Sequence, residues 1–194
     1  MAGKWFISDD QFNKIYSPEI QQLAKRHWTP LGVAALASHF LATEKGARIL
    51  DIGSGAGKFC LAAAYYQPQA RFYGVEQRAD LIEHALDANA LLELENVTFI
   101  HRNLTALPLD EFDHFYFFNS FFENLAGQDK IDDNVEYSVD LYNLYTRYLY
   151  KQLKQKPAGT RIATYHSLED EIPAGYHVVG TELNDLLKFW VKVE

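Results

Sequence analysis

Apolar positions along the 194-residue chain alternate between two rhythms. "RILDIGS" (48–54), "RFYGVEQ" (71–77), "NVTFIHR" (96–102), "FDHFYFFNS" (112–120) and "GTRIATYHS" (159–167) are short apolar runs of strand length. Between them "GKFCLAAAYYQ", "ADLIEHALDANALLEL" and "SVDLYNLYTRYLYKQLKQ" carry helical spacing. Residues 18–42 predict two more helices, broken at "TP", where Pro30 suits a first helical turn. Strands separated by helices require crossovers, which predicts an α/β fold: a mostly parallel sheet with helices on both faces. The closing pair, "YHVVGTEL" and "LLKFWVKV", has only "ND" between its cores. That is too short for a parallel crossover, so the pair is expected to form an antiparallel hairpin at the sheet edge.

Composition narrows the function classes. The 26 acids outnumber 18 lysines and arginines, leaving a net charge of -8, which disfavours a general nucleic-acid surface or an anionic membrane as partner. Cys60 is the single cysteine and has no partner for an intrachain disulfide, and the opening "MAGKWFISDDQF" lacks the apolar core of a secretory signal. Both favour a cytoplasmic setting. The longest apolar stretch, "LGVAALASHFLA" (31–42), is too short to span a bilayer. With no repeat and no linker, the expected organisation is one domain over 1–194, with 1–45 as an amino-terminal helical cap. No H-x-x-x-H or C-x-x-C pair suggests a metal.

In a sheet of this kind ligands bind beyond the carboxyl ends of the strands, near the point where strand order reverses. The first strand ends in "DIGSGAGKF", whose Gly53, Gly55 and Gly57 are spaced G-x-G-x-G rather than as the dinucleotide fingerprint. Asp51, just before them, suits a ligand bearing positive charge. Glu76 ends the second strand, 25 positions later, where an acid can accept hydrogen bonds from ribose hydroxyls. A nucleoside-like ligand follows.

On "DIGSGAGKF" and "YGVEQ" the chain resembles the class I S-adenosylmethionine-dependent methyltransferases, from about "RILDIGS" through the terminal hairpin. The resemblance implies a Rossmann-like, seven-stranded sheet and S-adenosylmethionine as cofactor. It also implies that Asp51, Gly53, Ser54, Gly55 and Gly57 meet the methionine end, Glu76 the ribose, and Gln77 with Asn103 and Leu104 the adenine. Where the family often has an acid after its third strand, "HRNLT" offers Asn103, whose amide oxygen can accept the same bond.

Residues 119–122 run off the fourth strand into the expected cleft and resemble the Asn-Pro-Pro-Tyr/Phe motif of methyltransferases acting on planar amino nitrogens, here Asn-Ser-Phe-Phe. A similar strand end occurs in Dot1-like protein lysine methyltransferases. Both likenesses imply that Asn119 lies between cofactor and acceptor. The acceptor is expected to be a protein side chain or a small molecule, with an RNA or DNA base as the alternative; a nucleotide-binding oxidoreductase or a non-catalytic binding protein are the other classes. Asn119 can equally cap the turn that follows the strand. Tyr165 and His166, ending the fifth strand, are candidates for catalysis or for support behind it. Trp28 either lids the cleft or plugs the core. The stripe Leu141, Leu144, Tyr145, Tyr148 and Leu149 falls at helical spacing and is expected to pack on the sheet.

Overall fold

In the computed structural model, which describes residues 2–125, 131, 135–167 and 171–194, seven strands form one sheet. They are β1 (Arg48–Ile52), β2 (Arg71–Glu76), β3 (Val97–His101), β4 (His114–Phe117), β5 (Arg161–Tyr165), β6 (Tyr176–Glu182) and β7 (Leu187–Lys192). Their order is β3-β2-β1-β4-β5-β7-β6. The first five are parallel, whereas β7 runs antiparallel between β5 and β6. The hairpin turn passes through Leu183, Asn184 and Asp185, all at positive φ. Strand order reverses between β1 and β4, which places a cleft beyond their carboxyl ends.

The period of two along each strand sorts side chains onto two cores. Ile49, Phe72 and Tyr116 face one side, where they meet α4 (Leu31–Leu41), α5 (Lys58–Tyr66) and α6 (Ala79–Leu92). Leu50, Ile52, Phe115 and Phe117 face the other, under α7 (Val139–Gln155). Within the expected stripe of α7, Tyr145 and Leu149 are buried, and Leu141 and Tyr148 pack at the margin. Leu144, expected in the core, is 52% exposed, because the helix presents a narrower apolar face than the stripe implies.

The amino-terminal region differs from the expected pair of helices. It comprises a 3-10 turn over Ala2–Phe6 and the short helices α1 (Asp9–Asn13), α2 (Pro18–Gln21) and α3 (Ala24–His27) ahead of α4. Ser8 and Ser17 cap the first two through their side chains, with Pro18 at the first helical position. Tight bonds from Gln22 N–H to Glu19 O and from Leu23 N–H to Ile20 O end α2 after one turn. These pieces are tied to the loop after β1. The Tyr16 hydroxyl donates to Ala56 O at 2.8 Å, and Lys58 donates to Asp9 and to Asn13.

At the opposite end of the sheet, His114 is 7% exposed and held neutral: the Arg161 amide donates to Nδ1, which leaves Nε2–H facing Thr43 Oγ1 at 3.0 Å. Burial, only partly opposed by Asp113, pushes its pKa from 6.5 down to about 4. A depressed folded-state value means that the unfolded chain takes up the proton first as pH falls. Stability is therefore full above about pH 6.5 and declines toward pH 4, by on the order of 2–3 kcal/mol from this residue. Urea unfolding at pH 7 and pH 4.5 checks this. His114→Asn, which keeps an acceptor for Arg161, is expected to flatten the difference.

Candidate active site

Four strand ends converge on the cleft. The turn after β1 folds back on β2, with the Gly53 and Ser54 amides both donating to Val75 O at 3.0 Å. Gly53 and Gly57 have positive φ, and a Cβ on either would collide: at 53 with Ser120 Cβ (2.7 Å), at 57 with the Phe99 ring (2.5 Å). Gly55 also has positive φ, but a Cβ there would meet nothing within 4 Å, because it faces the open cleft. Two of the glycines thus answer to packing and one to the cavity.

Glu76, 5% exposed, closes β2. Its Oε2 accepts from the Gly55 amide at 3.1 Å, and its Oε1 from the amides of Gln77 (2.8 Å) and Arg78 (3.0 Å) and from Arg78 Nη1 (3.4 Å). Arg78 Nη2 reaches across the cleft to Glu123 Oε2 and to the Tyr137 hydroxyl, each at 2.8 Å. Burial works against the guanidinium charge, but Glu123 and then Glu76 more than offset it and raise its pKa. This network separates two cavities. The smaller, about 50 Å³, lies toward β3 and is lined by Gln77, Asn103, Leu104, Phe121 and Tyr145 among others. The larger, about 550 Å³, lies over the glycine turn and is lined by Gly55, Trp28, Phe118, Asn119, Tyr165 and His166 among others.

The expected site residues divide between these spaces and the wall behind them. Gly53 and Glu76 border both cavities. Asp51, Ser54 and Gly57 border neither. Ser54 presses on β2 where a Cβ on Gly74 would lie 2.7 Å away. Asp51 is 4% exposed and accepts a long bond, 3.6 Å, from the Cys60 thiol. Burial pushes its carboxyl up to about 8, against the pull of the Cys60 bond and with a further push from the Glu76 charge. Burial thus favours the neutral carboxyl, whereas a cation above the glycine turn favours its ionised form.

Asn103 lines the smaller cavity with both ends of its amide engaged. Its Oδ1 caps the 3-10 turn Leu104–Ala106, accepting from the Thr105 amide (3.0 Å) and hydroxyl (2.8 Å). Its Nδ2 donates to Gln77 Oε1 (3.2 Å) and to the Tyr145 hydroxyl (2.9 Å). The amide oxygen is therefore committed to the turn, while Asn103, Gln77 and Tyr145 all line the smaller cavity.

Asn119 and His166 share a conformation that the sequence did not reveal. Both sit in the left-handed region, φ 45° and 54°, at the ends of neighbouring strands. Non-glycine residues seldom adopt it, at a cost of about 1–3 kcal/mol, and such strain clusters at working sites. Ser167 ties the two ends together, its Oγ accepting from the Asn119 amide at 3.4 Å. Phe118, Tyr165 and His166 form an aromatic corner beside them, with ring centroids 4.4–5.9 Å apart. Trp28 is both core and lining: 7% exposed, packed 4.7 Å from Tyr16, and on the wall of the large cavity. Sequence reasoning missed Arg78 and Tyr145. Arg78 lies two residues beyond Glu76, a position close enough to have drawn attention, whereas Tyr145 was hidden in a helical stripe.

A methyltransferase domain model matches residues 43–186. The chain belongs to this methyltransferase domain family. Among curated relatives, the tRNA (guanine-N(7)-)-methyltransferase of a Synechococcus species is 47% identical over 55 residues, 28% of this chain and 23% of that protein. The shared segment thus spans about a quarter of the relative's length. Among solved structures, an RNA methyltransferase from Salinibacter ruber in complex with S-adenosyl-L-homocysteine superposes with a TM-score of 0.60 at 19% identity, covering 86% of this chain and 94% of that one. A precorrin-6y C5,15-methyltransferase from Geobacter metallireducens superposes with a TM-score of 0.59 at 16% identity, covering 88% and 93%. At these identities the structural likeness carries the methyltransferase fold.

Proposed function

We propose that this methyltransferase uses S-adenosylmethionine to methylate an amino nitrogen of a small molecule or a protein side chain. The observation that carries the reading is Glu76: a buried carboxylate at the end of β2, placed between a pocket lined by Gln77 and Asn103 and a cavity floored by Gly55. That is the order of adenine, ribose and methionine in an extended nucleoside. Gln77, Leu104 and Tyr145 hold the base edge, with Asn103 positioning Gln77 and Tyr145; Glu76 accepts from the ribose hydroxyls. Gly53 and Gly55 allow close approach of the amino-acid end, while Ser54 and Gly57 shape the turn from behind. Asp51 acts through the turn by its charge, which a bound cation favours.

The cofactor supplies a methyl group already activated on a sulfonium, so the protein's work is alignment and exclusion of water. Asn119, offering both a donor and an acceptor, orients the acceptor nitrogen. Phe118, Phe122 and Trp28 keep the cavity dry. An ammonium acceptor must shed a proton before attack, and Tyr165 and His166 face the cavity from the neighbouring strand end. Residues 1–45 act as a cap on the cleft within one domain. A cytoplasmic setting fits the single buried cysteine and the lack, among the described residues, of any helix long and apolar enough to cross a membrane.

A second reading, methylation of an RNA base, is favoured by the 55-residue match to the tRNA enzymes. The net charge of -8 speaks against it. Labelled S-adenosylmethionine offered with protein, RNA and small-molecule fractions of a lysate separates the two.

Calorimetry is expected to show one-to-one binding of S-adenosylmethionine and S-adenosylhomocysteine; absence of binding overturns the reading. Asn119→Ala is expected to leave cofactor affinity within about threefold and to cut transfer at least about tenfold. Asn119→Gly relieves the strained backbone and is expected to raise stability while losing the same activity. If the glycine variant retains full transfer, Asn119 serves the turn alone.

A further inference from the structure

The two cavities share five lining residues, Gly53, Glu76, Arg78, Ser120 and Glu123, and any ligand that occupies both must pass this partition. Arg78 is its keystone. Its side chain is 2% exposed and stands between Glu76 at 5% and Glu123 at 11%. Glu76 Oε1 already accepts three bonds while Oε2 accepts one, so a vicinal diol that addresses both oxygens finds one of them filled. Two of the three donors on Oε1 are backbone amides in the short connection between β2 and α6, where the chain on both sides holds them in place. The third, Arg78 Nη1, makes the longest bond of the set, 3.4 Å, and is the one free to yield.

A guanidinium displaced from one buried carboxylate needs another. Glu123 already holds Nη2 at 2.8 Å, and a planar fork can engage it with both arms. Glu123 belongs to the 3-10 turn Phe122–Asn124, and Phe122 lines the larger cavity together with Asn119. A shift of Arg78 toward Glu123 is therefore felt in the wall of the acceptor space.

We infer that Arg78 is a positioning residue that couples the two halves of the cleft: ribose hydroxyls replace its Nη1 arm on Glu76, the guanidinium turns fully onto Glu123, and the turn Phe122–Asn124 settles around the acceptor. The inference rests on the assignment of Glu76 to the ribose. It makes binding ordered, cofactor before acceptor.

The test uses S-adenosylhomocysteine as probe, with stopped-flow association and backbone hydrogen exchange over Phe121–Leu125, where the Asn124 and Leu125 amides bond within the turn. In the wild type, ligand is expected to slow exchange there. Arg78→Met leaves Glu76 its three amide donors, and association is expected to be at least about fivefold faster because no arm has to be displaced. The exchange response is expected to vanish, and Arg78→Lys to restore part of it. Slower or unchanged association in the methionine variant, or an exchange response that survives it, overturns the inference. Should that variant fail to fold, Glu123→Gln decides: loss of the exchange response without faster association supports the coupling, and a retained response overturns it. A wild-type chain that does not bind the probe fells the cofactor assignment itself, a result distinct from any at Arg78.

Discussion

Replacing Glu76 with alanine is expected to weaken S-adenosylmethionine binding by about 3–4 kcal/mol, two to three orders of magnitude in Kd. On the proposed ribose assignment, lost hydroxyl bonds account for only part of this. The carboxylate also receives the Gly55 amide, so its removal frees the middle of the glycine turn. Arg78, almost wholly buried, loses one of its carboxylate partners. Glu76→Gln keeps the size but turns an amide donor toward at least one of these N–H groups, and its loss is expected to be nearly as large. Calorimetry at fixed pH measures both variants. Wild-type affinity in either would show that Glu76 organises the turn without touching the ligand.

Gly57→Ala is expected to lower stability by about 2–4 kcal/mol and the unfolding midpoint by about 6–12 °C. Here φ is +84° and the added carbon would lie 2.5 Å from the Phe99 ring and 2.9 Å from Ala85 Cβ. Both neighbours come from elements fixed elsewhere, Phe99 in β3 and Ala85 in α6, so relief requires parting α6 from the sheet. Calorimetric melting without ligand is the appropriate measurement, since the effect belongs to packing and not to the cleft. A midpoint within about 2 °C of wild type would mean that Phe99 turns away at little cost.

How far these features can be read from the chain depends on the physical scale that sets them. The sheet and its flanking helices follow from local periodicity, and the hairpin from the short gap between its apolar cores; both are visible in single segments. Gly53, Gly55 and Glu76 stand out because backbone conformation and a spaced acid restrict the residue types allowed there. The long-range bonds are invisible. Nothing near Asn103 announces that its oxygen is spent on Thr105 while its nitrogen reaches Tyr145, 42 positions away. The same holds for Arg78, whose partners Glu123 and Tyr137 lie 45 and 59 positions on. The left-handed turns at Asn119 and His166 escape for another reason: asparagine and histidine both tolerate that conformation more than most residues without demanding it. The broken helices before residue 28 show the limit of periodicity itself, since a single tight turn is enough to end α2.

The three glycines of the turn carry different histories in prospect. At positions 53 and 57 a side chain is refused by the protein's own atoms, so any descendant that keeps the fold keeps glycine there, whatever becomes of its chemistry. At position 55 the protein leaves room, and on the proposed function what refuses a side chain is the bound cofactor, aided by a φ of +53° that asparagine also accepts. A lineage that abandons catalysis would be released from that one constraint alone. Substitution at 55, with 53 and 57 intact, is thus the mark by which a retired copy of this enzyme would be told from a working one.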